Sequence, residues 1–410
     1  MKILQVNCVY KKGSTGKIVA DVHKALLAKG VDSVVCYGRG EKCPETNVIK
    51  TCGELYSDVN HFLTYISGVM YGGCHLSTNQ LISVIKKEKP DIVHLHCING
   101  YFVNIYRIVS WLKKNRIKTV LTLHAEFMYT ANCGHAFECE KWKTGCGNCP
   151  RYKQETKSLF FDRTHISWKK MQKAFQNFDK DLIVTSVSPW LMGRAKQSPI
   201  LGDKTHTVVL NGLDTGIFHY NDPSTLREKH NLTDEKIIFH ATPNFNTDPD
   251  HIKGGYYVNA LAERLQDQNV KVIVAGPYPE DIQVAENVIL LGKVSDQAEL
   301  AKYYSLADVT LLASKKETFS MVTAESLACG TPVVGFQAGG PEQIAISEYS
   351  SFVNYGDMDA LVKTVEMFLG REFDGITISN AAREKYSKEK MTESYLKIYE
   401  EVGQTYLVSN

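Results

Sequence analysis

The sequence predicts an α/β protein made of two doubly wound units, and three observations carry that expectation. The 410 residues exceed what one hydrophobic core usually serves. Short β-rich runs alternate with helical patterns in both halves, as parallel sheets with crossover helices require. A turn-rich stretch with neither periodicity, NGLDTGIFHYNDPS at 211–224, separates the halves.

In the first half the strand candidates are 3–8, 33–37, 92–95, 119–123 and 182–185, with helices at 17–29, 80–87 and 102–114 among them. In the second half strands fall at 237–240, 272–275, 288–291, 309–312 and 332–334. Helices near 255–265, 297–305 and 319–329 separate them. A closing segment, about 380–407, is helical and rich in Tyr, Lys and Glu. The expected division is therefore an N-terminal domain at 1–205, a C-terminal domain at 206–385 and a final helix at 386–410. Two facing doubly wound domains would place a cleft between the carboxyl ends of both sheets, where such folds take ligands.

Composition narrows the classes of function. An apolar content of 43% with 22% charged residues is ordinary for a soluble globular chain. A net charge of +2 gives no support to nucleic-acid binding. The opening MKILQVNCVY turns polar too soon for a signal peptide, and no apolar run is long enough to span a bilayer. A cytoplasmic protein is expected, and its eleven cysteines are expected to be reduced.

The most informative segment is ASKKETFSMVTAESLACGTPVVG, residues 313–335. It reads as strand, loop, helix and strand, with Glu317 in the loop and Glu325 about two turns into the helix. Between the two carboxylates, the helix start offers the backbone N–H groups of Phe319, Ser320, Met321 and Val322 and a positive dipole end. Carboxylates there suit hydroxyl groups, and the helix start suits a diphosphate. Upstream, Lys253-Gly254-Gly255 opens another helix and could set a point charge on the same diphosphate, its glycines permitting close backbone approach. The first βα turn, 11–17, fails the Walker A and G-x-G-x-x-G spacings, but Gly16 within it would admit a ligand close to the backbone. His124 ends the strand VLTLH, where an imidazole could bond a sugar hydroxyl. His94 and His96 lie one strand away and read as packed histidines.

With Ser314 upstream and Ala328, Gly330, Thr331, Pro332, Val333 and Val334 in register downstream, this segment resembles the signature of retaining family-4 glycosyltransferases. Asn211-Gly212-Leu213-Asp214 with Phe218, and Gly339-Gly340-Pro341-Glu342, resemble two further turns of that family. The resemblance implies the GT-B fold, a nucleotide-sugar donor and a saccharide or lipid-linked saccharide acceptor. It implies transfer with retention of configuration, with no cofactor for catalysis. It assigns Glu317 and His124 to the transferred sugar and Glu325 to the ribose. Gly16, Lys253 and the backbone of 319–322 would serve the donor and its diphosphate. The absence of a D-x-D motif in an expected metal-binding turn fits metal-independent chemistry. One departure stands out, because the loop ATPNFNTDPDH before Lys253 has no arginine where the family supplies a second diphosphate cation.

Two further clusters bear on partners. Cys133, Cys139, Cys146 and Cys149 form C-x5-C-x6-C-x2-C in an insertion at about 130–152, a spacing suited to a structural zinc site. Arg107, Lys113, Lys114, Arg116 and Lys118 are interleaved with Ile108, Val109, Trp111 and Leu112. Such a basic amphipathic helix could rest peripherally on the cytoplasmic face of an inner membrane. The expected process is synthesis of a bacterial surface polysaccharide such as O-antigen (lipopolysaccharide), capsule or exopolysaccharide. The rivals are a GT-B nucleotide-sugar 2-epimerase and a non-catalytic metal-binding scaffold in a polysaccharide assembly complex.

Overall fold

The computed structural model describes residues 1–404, so the end of the helix expected to reach 407 lies outside the described residues. The chain divides into one unit of 1–210 with 391–410 and a second of 211–390.

The first unit holds seven strands: β1 (Lys2–Asn7), β2 (Asp32–Tyr37), β3 (Val48–Lys50), β4 (Ile92–Leu95), β5 (Lys118–Leu123), β6 (Leu182–Ser186) and β7 (Thr205–Val208). Its helices are α1 (Gly13–Ala28), α2 (Glu54–Ser67), α3 (His75–Glu88) and α4 (Ile105–Lys114), then α5 (Phe127–Thr130), α6 (Tyr152–Glu155), α7 (Thr164–Phe175) and α8 (Pro189–Ala195). The strand order is β3-β2-β1-β4-β5-β6-β7, and every pair is parallel.

The second unit holds β8 (Lys236–Ala241), β9 (Val270–Ala275), β10 (Val288–Gly292), β11 (Val309–Leu312), β12 (Val333–Phe336) and β13 (Ser350–Val353). Helices α9 (Ser224–Lys229), α10 (Gly255–Arg264), α11 (Gln297–Leu306) and α12 (Met321–Ala328) are followed by α13 (Pro341–Ile344), α14 (Met358–Leu369) and α15 (Gly375–Tyr386). The order β10-β9-β8-β11-β12-β13 is again fully parallel. In both sheets the strand order reverses at the middle, between β1 and β4 and between β8 and β11. The loops leaving those strands therefore diverge to opposite faces and leave a crevice at their carboxyl ends.

The central strands are buried on both faces, which is why they read as unbroken apolar runs such as VVGF and VTLL. In the second unit Ile238, Val272, Val309, Leu311 and Val334 of the sheet pack with Val258, Leu261, Leu361 and Val365 of the helices. Helix starts are fixed by side-chain caps: Asp296 for α11, Ser320 for α12, Asp357 for α14 and Asp374 for α15.

A last helix, α16 (Lys388–Gln404), completes the first unit's core. Its Met391, Tyr395, Ile398, Tyr399 and Val402 pack with Ile3, Ile18, Val22, Ile92 and Val120. The Tyr399 hydroxyl lies 2.6 Å from Nδ1 of His94, whose Nε2 lies 2.7 Å from the Thr122 hydroxyl.

The basic segment around α4 turns most of its apolar side inward. Ile105, Ile108, Val109 and Leu112 are buried, while Arg107, Ser110 and Lys114 are exposed and Trp111 and Lys113 are half-buried. Among the described residues no helix is long and apolar enough to cross a membrane.

Removing the Tyr399 hydroxyl leaves a buried imidazole nitrogen without its partner. Tyr399→Phe should cost about 1–3 kcal/mol of unfolding free energy. Urea unfolding measures this, and an unchanged midpoint would show that the bond contributes nothing.

Candidate functional site

The residues singled out in the second unit gather at the reversal point of its sheet. Lys253 stands in the loop after β8 and Glu317 in the loop after β11, and Lys253 Nζ donates to Glu317 Oε1 at 2.6 Å. Both side chains are mostly shielded, 26% and 20% exposed.

Glycine makes the approach feasible. Gly254, at φ +68°, lies so close to β11 that an added Cβ would sit 2.1 Å from the Ala313 carbonyl oxygen. At Gly255 it would sit 2.3 Å from the Asn246 carbonyl oxygen. Any other side chain would push Lys253 away from the strand end. The Lys315 N–H donates to the Ile252 carbonyl at 2.8 Å, which ties the two loops together.

Glu317 is also gripped through its backbone. Its N–H donates to the Ala338 carbonyl at 3.0 Å, and its carbonyl accepts from Gly340 N–H at 2.9 Å. The Gly339-Gly340-Pro341-Glu342 turn is held by Glu342, whose carboxylate accepts from the N–H groups of Ala338 and Gly339 at 3.1 and 2.8 Å. This turn thus has a visible structural duty: it fixes the backbone that carries Glu317.

Helix α12 begins at Met321, two residues later than expected, because Ser320 is its N-cap. The Ser320 hydroxyl accepts from Thr323 N–H at 3.2 Å, at φ +79° and ψ 93°, a left-handed conformation rare for a residue with a Cβ. Phe319 is buried, edge-on to Tyr386. The first N–H groups of α12, at Met321 and Val322, are the ones that helix geometry leaves without an intrahelical acceptor.

Glu325 lies on the inner side of α12, where the Tyr304 hydroxyl donates to its Oε2 at 3.1 Å. Burial, together with the neighbouring carboxylate, pushes the Tyr304 phenol well above its ordinary range, so it stays a donor. Both residues border a cavity of about 480 Å³ lined also by Thr242, Pro243, Gly276, Pro277, Lys293, Val294 and Val322. Its mostly apolar walls and one carboxylate suit a flat ring with a hydroxyl-bearing group beside it. Tyr304 and Lys293 had no signal in the sequence: a Tyr-Tyr pair in a helix reads as core, and a lone lysine reads as solvated.

Asp248-Pro249-Asp250, just before Lys253, is a D-x-D string despite the expectation of none in such a turn. Its Asp248 carboxylate accepts from Asp250 N–H at 2.9 Å and so shapes the loop.

In the first unit Gly16 lies inside the first turn of α1, which starts at Gly13 and not at 17. An added Cβ would meet the Val9 side chain at 3.1 Å and the Lys11 N at 3.3 Å, so its own loop already requires a small residue there. His124 follows β5 and is 9% exposed. Its Nε2 lies 3.2 Å from His96 Nδ1, and the tilted rings of His96 and His94 have centroids 3.8 Å apart. Burial lowers the His124 imidazole to about 4 and those of His94 and His96 well below their usual range. Two residues beyond His124, the buried Glu126 accepts from Arg194 Nε at 2.6 Å and from Ala136 N–H at 2.6 Å, anchoring the cysteine-bearing segment.

Cys133, Cys139, Cys146 and Cys149 are all free thiols of intermediate burial. Among the described residues, no group of three or more His, Cys, Asp or Glu side chains is arranged to hold a metal ion. The Cys146 thiol lies 3.7 Å from the Thr130 carbonyl oxygen. The zinc expectation rests on spacing alone and enters no step below.

Comparison with known proteins agrees with this architecture. Residues 248–371, which span Lys253, Glu317 and Glu325, match the family described as Glycosyl transferases group 1. The chain is 22% identical, over 98% of its length and 100% of the relative's, to the putative colanic acid biosynthesis glycosyl transferase WcaC of Escherichia coli K12. Its fold is similar to that of sucrose-phosphate synthase from Thermosynechococcus elongatus, with a TM-score of 0.67 and 18% identity over 98% of this chain and 99% of that one. It is similar also to Anabaena HepE in complex with UDP-glucose, with a TM-score of 0.64 and 13% identity over 98% and 100%.

Two outcomes follow from this geometry. Ser320→Ala keeps the strained backbone and loses the cap, and should cost about 1–2 kcal/mol. Ser320→Gly relieves the strain and should stay within about 0.5 kcal/mol of wild type. Equal losses in thermal unfolding would overturn the assignment of strain. For the histidines, the folded state keeps neutral imidazoles while the unfolded chain protonates near its ordinary value of about 6.5. Stability should therefore fall as pH drops from about 6.5 towards 4, and a melting temperature equal at pH near 7 and near 5 would contradict it.

Proposed function

From the premise that the chain is a glycosyltransferase of GT-B fold carrying a group 1 domain, we propose that it moves a sugar from a nucleotide-sugar donor to a hydroxyl of a saccharide or lipid-linked saccharide, with retention of configuration. The observation that supports this most is the pairing of Lys253 with Glu317 beside the start of α12, with Glu325 held by Tyr304 in the wall of the neighbouring cavity.

In this reading the nucleobase enters the apolar cavity and Glu325 takes the ribose hydroxyls, its acceptor lone pairs aimed by Tyr304. The diphosphate meets the first N–H groups of α12 and the Lys253 ammonium. Lys253 is the cation already in place beside Glu317, and it offsets the arginine missing from the preceding loop. Before donor binds, Lys253 and Glu317 neutralise each other. With donor bound, the ammonium turns to the diphosphate and the carboxylate accepts from sugar hydroxyls and supports positive charge at the anomeric carbon. On the strength of the family resemblance, His124 of the first unit is assigned to the transferred sugar and Gly16 to the donor.

The acceptor oxygen bonds to the anomeric carbon on the face from which the diphosphate oxygen departs. The proton of the acceptor passes to that departing oxygen, so the products are a glycoside and a nucleoside diphosphate. The chain's contribution is positioning and stabilisation of charge as it moves onto the leaving group. The likeness to a putative colanic acid biosynthesis enzyme over the full length of both chains supports a place in bacterial surface polysaccharide assembly.

Titration with UDP, GDP and ADP sugars tests this. Glu325→Ala should weaken binding of the preferred nucleotide at least about tenfold, a loss of about 1.4 kcal/mol. Glu317→Ala should lower transfer by about 100-fold or more and leave nucleotide affinity nearly unchanged. Wild-type behaviour in both variants would remove these carboxylates from the site.

A further inference from the structure

Helix α2 is built inside out. Its buried face carries Ser57, Asn60 and Thr64, and its outer face carries Leu55, Val59, Phe62, Leu63 and Ile66. The outer positions follow the spacing of one helical stripe, and Leu55, Phe62 and Leu63 are 79%, 60% and 55% exposed. The polar face is no accident of packing, because its groups are satisfied. The Ser57 hydroxyl donates to the Tyr101 carbonyl at 2.9 Å, and Asn60 Oδ1 accepts from Cys74 N–H at 2.7 Å.

A second segment extends the stripe. Leu159 N–H donates to the Tyr65 carbonyl at 2.9 Å, which brings Leu159, Phe160 and Phe161 to the end of α2, all of them exposed. Isolated surface leucines need no explanation, but a contiguous apolar face does.

The neighbouring surface is cationic. Through Met70, just past α2, the chain is bonded to Tyr106 of α4 and Ser167 of α7. Helices α4 and α7 contain no acidic residue, and Arg107, Lys114, Lys169, Lys170 and Lys173 are exposed on them. Arg163 lies over the Phe161 ring at 5.2 Å, at the border of the two surfaces.

We infer that this face, α2 with 159–161 and the adjoining cations of α4 and α7, docks on an anionic lipid bilayer. Apolar and aromatic side chains enter the headgroup boundary while lysines and arginines meet the lipid phosphates, the combination that holds a peripheral protein at an interface. A second copy of the chain is a poor occupant: a two-fold contact sets the same patch against itself and would oppose cation to cation. The surface differs from the one expected from the sequence, since α4 contributes charge and α2 contributes the apolar face. The inference does not depend on which sugar is transferred.

Sedimentation of the full chain with vesicles tests it. Wild type should pellet with phosphatidylcholine vesicles containing about a third phosphatidylglycerol, and far less with phosphatidylcholine alone. Phe160→Ser/Phe161→Ser and, separately, Phe62→Ser/Leu63→Gln should each lower partition by about tenfold or more. Lys169→Glu/Lys170→Glu/Lys173→Glu should remove the preference for anionic vesicles. Melting temperatures near wild type would confirm that these exposed sites leave the fold intact. The inference is overturned if wild type stays in the supernatant with anionic vesicles at low salt, or if all three variants pellet like wild type. It is overturned equally if light scattering finds a wild-type dimer that Phe62→Ser/Leu63→Gln converts to a monomer.

Discussion

The site in the second unit depends on close backbone approach at three places where no Cβ fits. Gly254 lies against the Ala313 carbonyl, Gly255 against that of Asn246, and Gly340 against that of Thr318. Those contacts let the loops after β8, β11 and β12 interlock through main-chain hydrogen bonds, from Lys315 to Ile252 and from Glu317 to Ala338. The carboxylate of Glu317 is thereby delivered by a backbone that side-chain motion does not disturb. Its own partner, Lys253, can change without the loops moving, which is how a rigid support leaves one group free to respond.

Much of this was legible in the sequence, for identifiable reasons. Central strands of parallel sheets are buried on both faces, so β1, β4, β5, β8, β9 and β11 show themselves as apolar runs. The edge strands β3, VIK, and β7, THTV, are short and half polar and gave no comparable signal. Lys253, Glu317 and Glu325 could be placed because spacing relative to a strand end and a helix start is a local property. Tyr304 could not, since its relation to Glu325 arises from packing between α11 and α12 across 21 positions of sequence. The charge of the run at 107–118 was legible, but the burial of Ile108, Val109 and Leu112 depends on packing and was not. The apolar stripe of α2 went unread because its polarity is reversed relative to the usual surface helix.

Buried polarity is handled differently in the two units. In the first, three imidazoles cluster at the carboxyl ends of β4 and β5 and are kept neutral by burial. His94 is bonded to the hydroxyls of Thr122 and Tyr399, and His96 Nδ1 lies 3.2 Å from His124 Nε2, while the buried His96 Nε2 has no hydrogen-bond partner among the described residues. In the second, the ionisable groups at the corresponding strand ends remain partly exposed and charged, as Lys253 and Glu317 show. The first unit thus offers neutral hydrogen-bonding groups at its strand ends, and the second unit offers an ion pair at its own.

The return of α16 has a consequence for how the molecule is made. Tyr395, Tyr399 and their neighbours belong to the same hydrophobic core as Ile3 and Val22, yet a ribosome delivers them only after the whole second unit. The unit begun first is therefore finished last. Its sheet must wait, with the apolar surface meant for α16 uncovered, while the intervening unit is synthesised and folds as an insert. Nascent chains of this kind are exposed to aggregation during that interval, and the burden of protecting them falls on the translating cell before any sugar has been moved.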